Sequence, residues 1–143
     1  MILKELMREN AEVFSLTFSA RISRAADVMR DKRVGSIVIV DDAETVVGII
    51  TDRDIAMTLA LGAGTPDSTV QEAMSRDVQT IHESMSLFDV SKFFRTVDVK
   101  RVPVVNDSGM LVGIVSIDDV MALLALEMYD TCSSLEPKLG HVV

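Results

Sequence analysis

Only one of the 143 residues is cysteine, none is tryptophan, and three are proline. Cys132 has no second cysteine with which to close a disulfide. A single thiol beside nine methionines fits a reducing cytoplasm, which is the expected location. Long apolar stretches are also missing. The longest uninterrupted run, Val120 to Leu126, is far short of the roughly 20 residues that cross a bilayer, so no membrane association is expected. Lys4, Glu5, Arg8 and Glu9 interrupt the place where the apolar core of a secretory signal would sit. Positive charge is scarce: 14 Lys and Arg stand against 22 Asp and Glu, a net charge of −8. A surface so acidic repels phosphate backbones, which argues against nucleic acid as a partner. The two histidines, His82 and His141, are far apart and the cysteine is remote from His82, so no metal site is expected. No Ser-His-Asp or Cys-His spacing suggests a nucleophile, and no catalytic residue is assigned. What remains is a globular composition, 48% hydrophobic and 25% charged, of a size for one compact domain or two very small ones sharing a core.

The chain repeats itself. A shift of 65 positions lays Val34–Ile55 on Val99–Val120 without a gap, and seven of the 22 pairs are identical: Val34/Val99, Val40/Val105, Asp42/Asp107, Val47/Val112, Gly48/Gly113, Ile49/Ile114 and Asp54/Asp119. Seven more pairs are conservative, among them Ile37/Val102 and Thr51/Ser116. The same shift lays 13–16 on 78–81, and Leu3–Met7 resembles Val70–Met74 with a two-residue adjustment. The expected organisation is a first repeat over 1–64, a second over 65–130 and a C-terminal tail over 131–143.

Each repeat reads β-α-β-β-α, an α/β (α+β) fold class. A short apolar stretch (Val13–Leu16; Val78–Ile81) precedes a segment of helical spacing. Ile22, Ala25, Ala26 and Met29 form one face in the first copy, and Leu87, Val90, Ser91 and Phe94 in the second. Ser19 and Ser84 stand ahead of these helices as expected N-caps. Two β-branched runs follow, joined by a polar turn: Ser36–Val40 with Val46–Ile50, then Val102–Val105 with Leu111–Val115. They are nearly continuous in apolar residues, so strands buried on both faces are expected. Final helices are expected at about Asp52–Leu61 and Ile117–Tyr129, and Gly62–Ser68 is a loop by composition. At roughly 65 residues neither copy buries enough apolar surface alone, so the two should pack about a pseudo-two-fold axis.

The sharpest local signal is Gly48-Ile49-Ile50-Thr51-Asp52-Arg53-Asp54 with its copy Gly113-Ile114-Val115-Ser116-Ile117-Asp118-Asp119. A hydroxyl residue ends a strand and an acid sits three positions on. One copy alone reads most simply as a helix cap, with the acid complementing the helix dipole. The same geometry suits a ribose, whose paired hydroxyls donate to a carboxylate beside open helix amides. A cap does not require the Gly-apolar-apolar lead-in in both copies, which favours binding. The second signal is Lys100-Arg101-Val102-Pro103-Val104, two adjacent cations at the mouth of a buried strand in an acidic protein. With Ser116 and Asp119 on the neighbouring strand end, they could hold a phosphate while Asp119 holds the ribose. The first copy has Gly35-Ser36 there, so its pocket should bind phosphate less well. Pro103 removes one ladder donor, which suits an edge or a place where backbone meets ligand.

These motifs resemble a tandem pair of CBS (cystathionine β-synthase) domains, a Bateman module. The resemblance rests on Ala25-Ala26-x-Val28-Met29, Val34–Val40 and Gly48–Asp54, and in the second copy on Arg101–Val105 and Gly113–Asp119, and it covers about residues 1–129. It implies a stand-alone regulatory module, not an enzyme, that binds AMP, ADP, ATP or S-adenosylmethionine between the repeats and requires no cofactor. Carried over, it implies a better pocket at Thr80, Lys100, Arg101, Val102, Pro103, Ser116 and Asp119. A weaker one falls at Ser15, Gly35, Ser36, Ile37, Thr51 and Asp54. Phe94, where the family usually has Met, would narrow the better pocket. The family also implies a disc-like homodimer. The alternative is a ligand-free module with vestigial pockets that docks a protein partner.

Overall fold

The computed structural model describes residues 2–4 and 14–139. In chain order the elements are β1 (Ser15–Thr17), α1 (Ile22–Lys32), β2 (Ser36–Val40), β3 (Val46–Thr51) and α2 (Asp52–Ala60). After a single 3-10 turn at Val70–Glu72 come β4 (Ile81–His82), α3 (Leu87–Thr96), β5 (Arg101–Val105), β6 (Leu111–Ser116) and α4 (Ile117–Leu139). The strands form two three-stranded sheets, β1-β2-β3 and β4-β5-β6. In each, the first pair is parallel and the second is an antiparallel hairpin. The β-α-β-β-α repeat is therefore the architecture. Val13, expected to open β1, lies outside the described residues.

The duplication extends to irregularities. Ser36 pairs with Thr51 as Arg101 pairs with Ser116, and the register slips between Ile39 and Val40 as it does between Val104 and Val105. Both hairpin turns are built on a side-chain oxygen. Asp41 Oδ1 accepts from the amides of Ala43 and Thr45, and Asn106 Oδ1 accepts from those of Ser108 and Met110. Each turn needs one residue in the left-handed region. Gly109 takes it at φ 75°, whereas the first copy puts Glu44 there at φ 62°.

Two expected caps are wrong. Helix α1 starts at Ile22, so its N-cap is Arg21, which makes no side-chain cap. The open amides of Ile22 and Ser23 donate instead to the carbonyls of Ser68 and Pro66 in the connecting loop, at 2.8 and 3.0 Å. Helix α3 starts at Leu87 and is capped by Ser86, whose Oγ accepts from Asp89 N at 3.1 Å. Ser19 and Ser84 sit too early and bond within their own turns, to Thr17 and His82. Ala26 is exposed, so the buried stripe of α1 is Ile22, Ala25 and Met29, and α4 continues ten residues past the expected Tyr129. Strand β2 is buried at four consecutive residues, as a strand covered on both faces should be, while β3 and β6 alternate.

The halves exchange their leading segments. Val70 is fully buried in the first half's core with Ile22, Ala25, Met29, Ile37, Ile39, Ile50 and Ile55. Leu3, its counterpart at the start of the chain, is buried in the second half's core with Ile81, Leu87, Val90, Phe94, Val102, Val104, Val115 and Val120. Leu3 N donates to Met85 O at 2.8 Å, and Ser75 exchanges both backbone bonds with Ile49 at 2.9 and 3.0 Å. A Cβ on Gly48 would lie 3.0 Å from Ser75 O and 2.5 Å from Met74 Sδ, so this crossing requires glycine. Interlocking explains how two copies, each too small alone, share one stable body.

Candidate ligand-binding cleft

Strand ends and helix starts converge in both halves because one backbone bond ties them. Asp52 N donates to Gly35 O at 3.0 Å, and Ile117 N donates to Lys100 O at 2.9 Å. Each helix N-terminus therefore opens beside the mouth of the central strand. Both Ser/Thr-x-x-Asp motifs fold as reciprocal caps. Asp54 N donates to Thr51 Oγ1 at 3.1 Å and Thr51 N to Asp54 Oδ2 at 2.9 Å. Asp119 N donates to Ser116 Oγ at 3.1 Å and Ser116 N to Asp119 Oδ2 at 3.2 Å. The caps use one carboxylate oxygen of each acid. Oδ1 of Asp54 and Oδ1 of Asp119 have no hydrogen bond among the described residues.

A cavity of about 780 Å³ opens at this convergence. The first half contributes Gly35, Ser36, Thr51, Asp52 and Arg53, and the second Asp77, Val78, Gln79, Lys100, Arg101 and Pro103. Three cations, Arg53, Lys100 and Arg101, thus face two acids, Asp52 and Asp77, and none of the three cations has an ion-pair partner among the described residues. Ser36 Oγ is sealed from solvent without a hydrogen-bond partner among the described residues, an unmet polar group in the cavity wall.

The sequence-derived pockets are distributed unevenly around this space. Lys100, Arg101 and Pro103 of the better set and Gly35, Ser36 and Thr51 of the weaker set line the one cavity together. Thr80, Ser116 and Asp119 are outside its lining, as are Ser15 and Asp54. Val102 and Ile37 are core residues with 1% and 0% exposure, so they can act only through their backbone. Phe94 is likewise buried in the core and not in the lining. Sequence reasoning missed Asp52, Arg53 and the segment Asp77–Gln79. Arg53 sits inside the motif already singled out and could have been found as a cation on a helix's first turn. The segment Asp77–Gln79 carried no such mark, because its place depends on how the connecting loop crosses the first half.

One arrangement elsewhere has the look of chemistry. His82 Nδ1 lies 2.6 Å from Ser84 Oγ and His82 Nε2 lies 2.7 Å from Asp107 Oδ1. Ser84 N also donates to Nδ1, at 3.1 Å, Asp107 is 95% exposed, and none of the three lines the cavity. The trio joins the turn after β4 to the β5–β6 turn. Among the described residues no cluster of His, Cys, Asp or Glu could hold a metal ion, and no helix is long and apolar enough to cross a membrane.

The sequence pattern of the CBS domain matches residues 3–61 and again 70–126. The chain belongs to the CBS domain family. It is 32% identical over 109 residues to the CBS domain-containing protein YhcV of Bacillus subtilis, covering 76% of each chain. It is 34% identical over 94 residues to protein MK0525 of Methanopyrus kandleri, covering 65% of this chain and 48% of that one. It therefore spans about half the length of that relative. Among solved structures, the CBS domain pair of protein MJ0100 in complex with 5′-methylthioadenosine and S-adenosyl-L-methionine superimposes with a TM-score of 0.73 at 29% identity, over 89% of this chain and 98% of that one. The CBS domain pair of MJ0100 is thus found with adenosine-containing molecules, and the two repeats here are a CBS pair.

Proposed function

We propose that this CBS pair is a regulatory module that binds an adenosine-containing ligand, AMP, ADP, ATP or S-adenosylmethionine, in the cleft between its halves and does no chemistry on it. The observation that carries this reading is the cavity into which Lys100 and Arg101 of one half and the α2 N-terminus of the other both open. Its volume is of the size that suits a nucleotide. Three cations without ion-pair partners among the described residues, and the Ser36 hydroxyl likewise without a hydrogen-bond partner among them, ask for an acceptor-rich ligand. The two acids, Asp52 from one half and Asp77 from the other, give the ammonium and sulfonium groups of S-adenosylmethionine partners as well. The adenosyl ligands of MJ0100 point the same way.

Calorimetric titration with AMP, ADP, ATP, S-adenosylmethionine and NADH tests the reading. Saturable heat with an adenosyl ligand is expected, and no heat with any of them would refute it. Asp52→Ala should weaken adenosine binding by removing a carboxylate of the cavity lining, and binding unchanged in that variant would remove Asp52 from the site.

A second reading is a ligand-free interaction module in the cytoplasm. It draws on the closed caps at Asp54 and Asp119, and it expects a partner but no small molecule. Either reading accommodates a homodimer. Phe88 on α3 and Met121, Leu126, Met128 and Tyr129 on α4 are 59–70% exposed, an apolar surface suited to a second copy. Sedimentation analysis of the purified protein distinguishes dimer from monomer.

A further inference from the structure

We infer that His82 is a proton-sensitive latch that holds the start of the chain onto the second half. The inference stands apart from the cleft and does not depend on what binds there. Both hairpin turns are closed by a side-chain oxygen that accepts from the amide two residues on, Asp41 from Ala43 and Asn106 from Ser108. In the turn after β4 an imidazole takes that place. Ser84 N donates to His82 Nδ1 at 3.1 Å, and Met85 N closes the same turn onto His82 O, also at 3.1 Å. A backbone amide only donates, so Nδ1 carries its lone pair and the ring's proton sits on Nε2. That proton is donated to Asp107 Oδ1, 2.7 Å away, and the Ser84 hydroxyl, 2.6 Å from Nδ1, donates to it as well. The bonds therefore specify a neutral ring in a single tautomer.

The same turn carries the start of the chain. Lys4 N donates to Glu83 O and Leu3 N to Met85 O, each at 2.8 Å, Ile2 bridges to Ser86, and Lys4 Nζ pairs with Glu83 Oε1 at 3.7 Å. These bonds set Leu3 into the second half's core. Imidazole gains a second proton between about pH 8 and 5, and here only Nδ1 is open to it. Nδ1 then stops accepting. The Ser84 hydroxyl can turn and accept from it, but the Ser84 amide is left facing another N–H. The charged groups around this turn are Asp107 from the β5–β6 turn, Glu83 beside the ring in the chain, and Lys4, which pairs with Glu83. Asp107 keeps its bond in both states, so the change falls on the Ser84 side. The first half has no such device. A shift of 65 turns His82, Ser84 and Asp107 into Thr17, Ser19 and Asp42, and Thr17 and Ser19 meet through two hydroxyls that do not titrate in this range.

Hydrogen exchange of the whole chain tests the latch, with rates expressed as protection factors so that the chemical effect of pH is removed. Protection of the Leu3 and Lys4 amides in the wild type should fall about fivefold on acidification across the imidazole range, the net effect of losing one hydrogen bond. His82→Asn keeps an acceptor that cannot titrate, and His82→Ala removes it. Both should abolish the dependence on pH, the first with high protection and the second with low. Wild-type protection that does not change with pH would overturn the inference. So would an unchanged pH dependence in both variants, which would assign the effect to Glu83 or Asp107. Nitrogen-15 spectra of the ring should show the Nε2–H tautomer at the alkaline end of the range, and finding the Nδ1–H tautomer there would overturn the inference too.

Discussion

At equivalent positions beside the cleft, the first half has Gly35 and Ser36 and the second has Lys100 and Arg101. On the helices that follow, the pair is Asp52 and Arg53 in the first and Ile117 and Asp118 in the second. Around them the two copies keep the same strand register, the same bulge, the same Asx-built turn and the same reciprocal cap. Backbone geometry was duplicated and retained, while the side chains that face the cleft diverged. The Asp52 carboxylate lies 3.5 Å from where a Cβ of Gly35 would be, so the first strand mouth faces an acid, and the second carries a lysine. A duplicated scaffold can therefore present one cleft with two unlike walls, which is what recognition of an asymmetric ligand requires.

The largest effect that would break the comparison concerns the exchanged segments. Leu3→Ala should cost about 3 kcal/mol in denaturant unfolding, although Leu3 belongs by sequence to the first repeat. Hydrogen exchange should show the loss in β4–β6, and a loss confined to β1–β3 would refute the exchange. Next come the cations. Lys100→Ala and Arg101→Ala should each weaken ATP by about tenfold and adenosine much less; equal losses for both ligands would argue against a phosphate role. The caps should behave alike in stability. Thr51→Ala and Ser116→Ala are each expected to cost about 1 kcal/mol, and a marked difference in melting would mean that the two motifs are not structurally equivalent. The smallest effect lies in the turns. Glu44→Gly should be neutral or stabilising by up to about 1 kcal/mol, and Gly109→Ala should destabilise by a similar amount, because both positions are left-handed. Chemical denaturation of the two variants side by side checks the opposite signs.

Much of the fold was legible because local rules generate it. The hairpins follow from β-branched runs around Asp41 and Asn106, and the buried stripes of α1 and α3 follow from apolar spacing, with exposed Ala26 and half-buried Ser91 the exceptions. Caps were less legible. A serine near a helix start is a candidate wherever the helix begins within a residue of it, and α1 and α3 begin three residues past Ser19 and Ser84. The amides at the start of α1 needed no side chain, because the Pro66 and Ser68 carbonyls reach them from a loop more than forty residues away.

The candidate site was legible in its motifs and not in its assembly. The amino-acid sequence by itself determined that there are two copies, that each ends its hairpin in a Ser/Thr-x-x-Asp cap, and that only the second has two cations, Lys100 and Arg101, at the strand mouth. Those properties depend on neighbours a few positions apart, where hydrogen-bonding rules and periodicity act. Only the tertiary structure decided that Leu3 and Val70 change places, that residues assigned to two pockets line a single cavity, and that Arg53 joins Lys100 and Arg101 there. Each of these depends on which surfaces of the two copies meet, and that is set by the burial of long-range apolar contacts rather than by any local pattern.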